Sequence, residues 1–500
     1  MDMLANVALG LETALMPVNL AYCLLGVFLG IVVGVIPGIG ALATMSMLIP
    51  MTFVMEPASA LIMLAGIYYG SCFGSSVSAI LINIPGAPHS AVTCLDGNPM
   101  ARSGRAGVAL FMASIASFAG GSLGIVVLMA FAPALGKFAL QIGPAEYFSL
   151  VLLGMVASSA IGSGSMLKSL AMAAAGIWLG LIGTDPNTGS YRYTFGALEL
   201  TGGVHLIALA MGFFGVTEVI CSIGRLSLSH VTPGKVNFRS MLPTREDLRR
   251  SAGPILRGTG LGAFFGALPG TGPTVAAYIS YAVELRVTKT RARFGKGAVE
   301  GVVAPEAANN AADQTSFIPT LSLGIPGSAT MVLLLAALII QGITPGPTLV
   351  ANHPDIFWGL VMSFWVGNIL LVVMNIGLIG FWVRLLLIPY RYLYPAILMF
   401  VCVGTYSIAA SPFDVWLMLL FGVAGAFMRL AGLSPTSLLL GFILGPMLEE
   451  NFRRAMVISR GDFAYFVEQP ISAAILAATA MIVLFGAWSS VRSARALRTA

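Results

Sequence analysis

The sequence predicts an all-α polytopic membrane protein made of two inverted-topology repeats, with re-entrant hairpins and broken helices on roughly 12 or more membrane segments. Three observations predict it. Of its 500 residues, 57% are hydrophobic and only 9% charged, against roughly 25% charged in a soluble domain. Apolar runs near the roughly 20 residues that cross a bilayer recur along the whole length. Finally, GIVVGVIPGIGAL at 30–42 returns as GAFFGALPGTGPT at 262–274, so two of the most apolar segments are broken by the same Pro and Gly pattern.

In chain order the runs lie near 18–36, 39–55, 58–84, 106–133, 147–161, 166–183 and 204–220, then 256–268, 274–285, 318–340, 356–385, 394–410, 415–430, 437–448 and 471–487. Several are too short for a full crossing, so some are half-helices. The first stretch has no basic flank and is followed by many more, so no cleaved secretory signal is expected. The five cysteines, Cys23, Cys72, Cys94, Cys221 and Cys402, lack paired spacing, which argues against a disulfide framework or a zinc site and for small buried apolar side chains.

The net charge of +6 is modest, but it is concentrated. Arg225, Lys235, Arg239, Arg245, Arg249, Arg250 and Arg257 form one basic cluster, and Arg286, Lys289, Arg291, Arg293 and Lys296 form a second. The positive-inside rule places both at the cytoplasmic face. Only Phe238 and Phe294 interleave with them, too few for a base-stacking surface, so a nucleic-acid partner is not expected.

The repeat is regular. Gly26, Gly30, Gly34, Pro37, Gly38 and Gly40 match Gly258, Gly262, Gly266, Pro269, Gly270 and Gly272 at one offset of 232 residues. SSVSAILINIPGAP at 75–88 resembles SFIPTLSLGIPGSA at 316–329 at an offset of 241, so the second copy carries about nine extra residues around its basic loop. The domains expected are a first transmembrane repeat at 1–221, a cytoplasmic linker at 222–253 and a second transmembrane repeat at 254–500.

Charge suggests that the copies are inverted. The first 20 residues hold Asp2 and Glu12 and no Lys or Arg, whereas seven basic residues precede or open the second copy. Arg102 and Arg105 follow the first copy's second motif, while the second copy's equivalent, QGITPGPTLVANHPD, has no Lys or Arg. Arg257 and Arg286 lie 29 residues apart, too close for two crossings of about 20 residues each, so a re-entrant hairpin with PGTG at its tip fits best.

Inverted repeats with Gly/Pro-interrupted helices at matching positions point to a secondary transporter with its site near the midplane. A helix starting inside the membrane presents unsatisfied N–H groups and a positive dipole end, which suits carboxylates. Pro at the first turn lacks an N–H that would be orphaned anyway, and Gly permits close backbone approach. The same Gly-xxx-Gly spacing also suits plain helix packing.

The candidate substrate-binding residues are therefore Pro37, Gly38, Gly40, Ser75, Ser76, Ser78, Asn83, Pro85 and Gly86 in the first copy. In the second they are Pro269, Gly270, Thr271, Gly272, Thr274, Ser322, Pro326 and Gly327. Asn309, Asn310, Asp313 and Ser316, from the dense AANNAADQTS cluster, are the candidate cation-binding residues, with Na⁺ near Asp313 or a proton on it. Other polar residues near the tips are Thr44, Ser71, Gln314 and Thr320, and hydroxyls of this kind also simply join helices. Glu300, Glu306 and Asp313 could alternatively line an aqueous vestibule, while Glu218, His89 and His205 read as structural.

The stretches GVIPGIGALAT, ILINIPGAPHSAVTCLDGNPMARSGRAG, GTDPNTGSYRYTFG, GALPGTGPTVAAYISY, EGVVAPEAANNAADQTSFIPTLSLGIPGSA and LGPMLEENFRRAMVISRGD span nearly the whole chain. In these motifs the sequence resembles the large transmembrane subunit of the bacterial tripartite tricarboxylate transporters. That resemblance implies a multi-pass permease of the bacterial inner membrane, not an enzyme, working with a small transmembrane subunit and a periplasmic solute-binding protein that captures citrate or another carboxylate. It also implies drive from a Na⁺ or H⁺ gradient and no cofactor. No Gly-x-x-x-x-Gly-Lys-Ser/Thr loop for ATP is present.

GTDPNTGSYRYTFG falls outside the cell on a count of crossings from Arg105; its Asp185, Tyr191, Arg192 and Tyr193 suit either a contact with the binding protein or an ordered loop. LGPMLEENFRRAMVISRGD, with Glu449, Glu450, Arg453 and Arg454, reads as helix termination with local salt bridges, and charge leaves its side undetermined. An intramembrane hydrolase is the alternative enzyme class, but it would need a nucleophile beside a base, and no two of the four histidines lie close in the sequence. An anion channel could share the hairpins. Two PGxG tips and two IPG tips are expected to converge on one site, with the halves alternating access around it.

Overall fold

The computed structural model describes residues 3–36, 40–139, 143–161, 165–185, 188–222, 238–288, 290–386 and 393–499. They form two compact units, one from 1–136 and 221–404 and the other from 137–220 and 405–500. Each half of the sequence contributes a segment to each unit.

The first segment holds α1 (Met3–Leu15), α2 (Pro17–Val35), α3 (Gly40–Thr52), α4 (Pro57–Ile82), α5 (Ala91–Met100) and α6 (Ala106–Ala139). The second unit then takes α7 (Pro144–Ile161), α8 (Met166–Gly180), the strand pair β1 (Gly183–Thr184) and β2 (Tyr191–Arg192), α9 (Leu206–Ala210) and α10 (Thr217–Ser222). Returning to the first unit are α11 (Arg245–Ala267), α12 (Gly272–Val287), α13 (Glu300–Thr315), α14 (Phe317–Leu323), α15 (Ala329–Ile340), α16 (Pro347–Asn352), α17 (Pro354–Gly377), α18 (Ile379–Leu385) and α19 (Leu393–Ala409). The last segment is α20 (Pro412–Leu430), α21 (Pro435–Ile458), α22 (Tyr465–Glu468) and α23 (Pro470–Thr499).

Among the described residues five helical stretches are long and apolar enough to cross a membrane: Pro17–Val35, Pro57–Ile82, Pro88–Phe138, Pro354–Gly377 and Pro412–Leu430. The run at 318–340 is not continuous. It breaks between α14 and α15 at Ile325, Pro326 and Gly327, because Pro326 cannot donate to the helix and Gly324 turns left-handed at φ 72°. The run at 356–385 breaks after Gly377, and 39–55 yields only the 13 residues of α3.

Two helices escape the hydropathy pattern. α1 carries Asn6 and Glu12, and α13 carries Glu306, Asn309, Asn310, Asp313 and Gln314, yet every residue of α13 is buried. Its polar groups are surrounded by protein, so their apolarity was never required. The stretch 222–253, read as a linker, includes the first turns of α11: Thr244 caps that helix in a reciprocal box with Asp247. Burial alone would raise the Asp247 pKa, but the Arg105 guanidinium and Thr244 hydrogen bonds hold it below the usual carboxylate value.

The broken helices recur with one geometry. A Cβ on Gly26, Gly30 or Gly34 of α2 would strike the carbonyl oxygens of Met63, Ile67 and Ser71 on α4. A Cβ on Gly258, Gly262 or Gly266 of α11 would strike those of Ala304, Ala308 and Ala312 on α13. Each contacted residue in the second set lies 241 positions after its counterpart, the offset of the second motif. The Gly-xxx-Gly spacing is thus close backbone packing in both copies. Asn83 (φ 58°) and Gly324 (φ 72°), again 241 apart, are both left-handed residues ending the helix before IPG.

α17 closes the first unit. Its Phe364 meets Tyr69 of α4 edge-on at 5.9 Å and Phe317 of α14 at 4.7 Å. In the second unit α8 and α21 approach through Gly176 and Gly441, where a Cβ would strike the backbone of Leu438 and Ala173 respectively.

Candidate functional site

The sequence-selected site residues that are described all belong to the first unit. Pro37 and Gly38 lie outside the described residues. In the second copy the tip and the IPG loop touch directly: the Gly270 N–H donates to the Gly327 carbonyl at 3.2 Å, and Gly272 abuts Ser328. Gly270 and Gly272 are left-handed at φ 81° and 61°, a conformation glycine adopts without strain. In the first copy Gly86 lies against the Gly34 carbonyl and Ser75, as Gly327 lies against Ser316. The copies also interlock, α12 packing on Pro88–Ser90 and α5, and α3 on α15. Tyr68 and Ser328 bring their hydroxyls to 3.5 Å across that seam.

Two helices begin at these loops without side-chain caps, α12 after Thr271 and α15 after Ser328. Their leading N–H groups keep the capacity to meet an anion. Thr271 and Thr44 are turned away, their hydroxyls bonded to carbonyls of their own segments. Thr274 is half-buried, and Pro85 and Pro326 shape the loops.

Several candidate hydroxyls are committed to structure. Ser78 donates to Ser75 O at 3.0 Å, and Ser322 to Ala132 O at 2.9 Å. Ser75 bonds Cys72 O and His89 Nε2, and Asn83 serves as the left-handed cap.

Two buried carboxylates separate sharply. Glu306, fully buried, accepts from Ser76 (2.7 Å), Thr93 (2.5 Å), Ser117 (3.2 Å) and Asn309 (3.4 Å). Asn310 in turn bonds Asn309 Oδ1 and Glu306 O. The two amides expected at a cation site therefore serve Glu306, and Ser316 bonds the Asp313 carbonyl, not its carboxylate.

Asp313 is also 0% exposed, yet neither of its carboxylate oxygens accepts a hydrogen bond of good geometry among the described residues, and Gln314 Oε1 has none either. Its polar neighbours are the Tyr68 hydroxyl and the Cys72 thiol of α4. Sequence reasoning missed both, although the repeat could have found them: Cys72 and Tyr68 stand 241 residues before Asp313 and Asn309.

A family model described as the tripartite tricarboxylate transporter TctA family matches residues 20–440. The chain belongs to the tripartite tricarboxylate transporter TctA family. The membership implies a membrane-embedded transporter subunit with partner subunits. The chain is 49% identical over 495 residues to an "Uncharacterized 52.8 kDa protein in TAR-I ttuC' 3'region" of Agrobacterium vitis, covering 99% of this chain and 98% of that one. It is 51% identical over 234 residues to an "Uncharacterized protein in TAR-II ttuC' 3'region" of the same organism, covering 47% of this chain and 97% of the relative. No solved structure matches it.

In this TctA-family chain the two remaining motifs meet within the second unit. Asp185 accepts from Arg453 at 3.0 Å, Arg192 pairs with Glu449 at 2.8 Å, and Glu449 pairs with Arg453 at 2.7 Å. Arg454 and Glu450 form a local pair one helical turn apart at 2.5 Å. Beside this network Tyr191 and Tyr193 are exposed. His205 pairs with Asp414 at 2.9 Å, and Glu218 with Arg429 at 2.5 Å, in keeping with structural roles.

Proposed function

We propose that this protein is the large permease subunit of a binding-protein-dependent secondary transporter that imports citrate or a related carboxylate into the bacterial cell across the inner membrane. A Na⁺ or H⁺ gradient drives it, and a small transmembrane subunit and a periplasmic solute-binding protein complete the system. The observation that carries this reading is the meeting of uncapped helix starts and left-handed glycine tips at Ser328, whose hydroxyl lies 3.5 Å from that of Tyr68, itself a neighbour of Asp313, a buried carboxylate with no cationic partner among the described residues.

An unpaired carboxylate in a low-dielectric interior is unfavourable by several kcal/mol. It is stable only when protonated or when a cation sits on it. The helix starts favour the substrate's negative groups, and the cation on Asp313 offsets their charge. Binding of ion and carboxylate is then mutually reinforcing, as coupled transport requires. The matched backbone geometry of the two copies supports an inverted repeat whose halves alternate access around this site.

The test is uptake of labelled citrate and other carboxylates into vesicles holding the three subunits, with and without Na⁺ and pH gradients. Gradient-driven, saturable uptake is expected in wild type, lost in Gly270→Leu and cut about 10–100-fold in Asp313→Asn protein that still reaches the membrane. Unsaturable flux insensitive to both gradients would replace the transporter with a channel. Normal uptake by Gly270→Leu would move the site away from the PGTG tip.

A further inference from the structure

Members of the basic clusters also build a cavity, none of whose lining residues is among those assigned to transport. It measures about 280 Å³ and is walled by Arg105, Asp247, Arg250, Arg293, Lys296 and Val299 among others. That is several times the roughly 30 Å³ a water occupies in the liquid. The walls carry four cations against one carboxylate. Counting the paired Glu246 and Glu300 as well, one net positive charge remains.

The cations are not equally engaged. Arg250 is the most engaged: Nε and Nη2 each bond Glu300 at 2.8 Å, and Nη1 reaches Glu246 at 3.4 Å. Arg105 makes both of its bonds to Asp247 through Nη2, at 2.7 and 2.8 Å, leaving Nε and Nη1 with no partner among the described residues. Arg293 comes no nearer than 3.8 Å to Glu246, and Lys296 makes no ion pair among the described residues. Donors therefore remain on three of the lining cations, Arg105, Arg293 and Lys296.

The loop that carries Arg293 and Lys296 is held in place. Asp96, 0% exposed, accepts from the N–H groups of Gly297 at 3.0 Å and Ala298 at 2.8 Å, and from the Tyr281 hydroxyl at 2.9 Å. Gly297, left-handed at φ 99°, lies against Met100. The wall is thus fixed before any ligand arrives, which reduces the ordering cost of binding.

We propose that this cavity is a phosphate-binding site, in which the free edge of Arg105, the Arg293 guanidinium and the Lys296 ammonium hold a phosphate group. Guanidinium forks match phosphate oxygens in pairs, and a lysine adds a point charge. The phosphate is that of an anionic lipid headgroup or of a free phosphate.

The two sources are separable by thermal unfolding of the full-length chain in nanodiscs. Phosphatidylcholine discs are titrated with inorganic phosphate at constant ionic strength, and a parallel series contains a rising share of phosphatidylglycerol. Ligand that binds only the folded state raises the midpoint. A rise with inorganic phosphate identifies a free-phosphate site, and a rise with phosphatidylglycerol alone identifies a headgroup site. In either case Arg293→Ala/Lys296→Ala should raise the half-saturating concentration at least about tenfold, as loss of two charged donors implies. Both side chains are exposed, so the unliganded midpoint should not move. Arg286→Ala, outside the cavity, should bind as wild type. The proposal fails if neither series raises the midpoint, if the double variant binds as wild type, or if Arg286→Ala weakens binding equally.

Discussion

Glu306 and Asp313 lie on one buried helix, seven residues apart, and their surroundings give them opposite tasks. Four neutral donors converge on Glu306 from α4, α5, α6 and its own helix. Hydrogen bonds to a charged group contribute roughly 1.5–3 kcal/mol each, and removing the acceptor strands every donor. Glu306→Ala is therefore expected to destabilise the protein by about 3–5 kcal/mol. Asp313 has no hydrogen bond of good geometry among the described residues, only the Tyr68 hydroxyl and the Cys72 thiol beside it, so Asp313→Asn should leave stability unchanged or improved. Its uptake should still fall by about 10–100-fold, the range of typical ion–substrate coupling. Thermal unfolding and uptake on the same two variants decide this. Equal destabilisation by both would mean that Asp313 is another structural anchor.

Helix seams set the second scale. On α11, Gly262 faces the Ala308 carbonyl, whereas Gly260 has open space around it. Gly262→Ala must push α11 off α13 and should cost about 1–3 kcal/mol, the usual penalty of overpacking. Gly260→Ala should be neutral or stabilising by about 0.5–1 kcal/mol, since it only removes helical glycine's extra entropy loss. Gly30→Ala on α2 should behave as Gly262→Ala does, because Ile67 occupies the register of Ala308. Thermal unfolding that ranks Gly260→Ala with Gly262→Ala would overturn the seam. The repeat that pairs these glycines was legible in the sequence, because backbone contact admits only glycine and leaves a periodic mark. α13 was not legible as a helix of the core: Glu306, Asn309, Asn310 and Asp313 look soluble until their partners on α4, α5 and α6 are known. The same holds for Tyr68 and Cys72, which are ordinary apolar-helix residues until the fold sets them beside Asp313.

Across the whole molecule neither sequence half coincides with a compact unit. The first compact unit takes 1–136 from one half and 221–404 from the other. Within it Ser76, Thr93 and Ser117 of the first half supply three of the donors to Glu306 of the second. α1 packs on α17, and α4 is enclosed by α17 as well as by its own copy's α2. A half expressed alone would leave the Glu306 carboxylate, or its donors, buried without partners, at several kcal/mol. Splitting the chain between α10 and α11 should therefore give two fragments that are each degraded when made singly and recovered together when co-expressed. Co-purification of the fragments through a tag on one of them measures this. Ser76→Ala/Thr93→Val in the first fragment should weaken the recovery, because it removes two of the bonds that join the halves. Stable accumulation of either fragment alone would show that the halves fold independently and only associate afterwards.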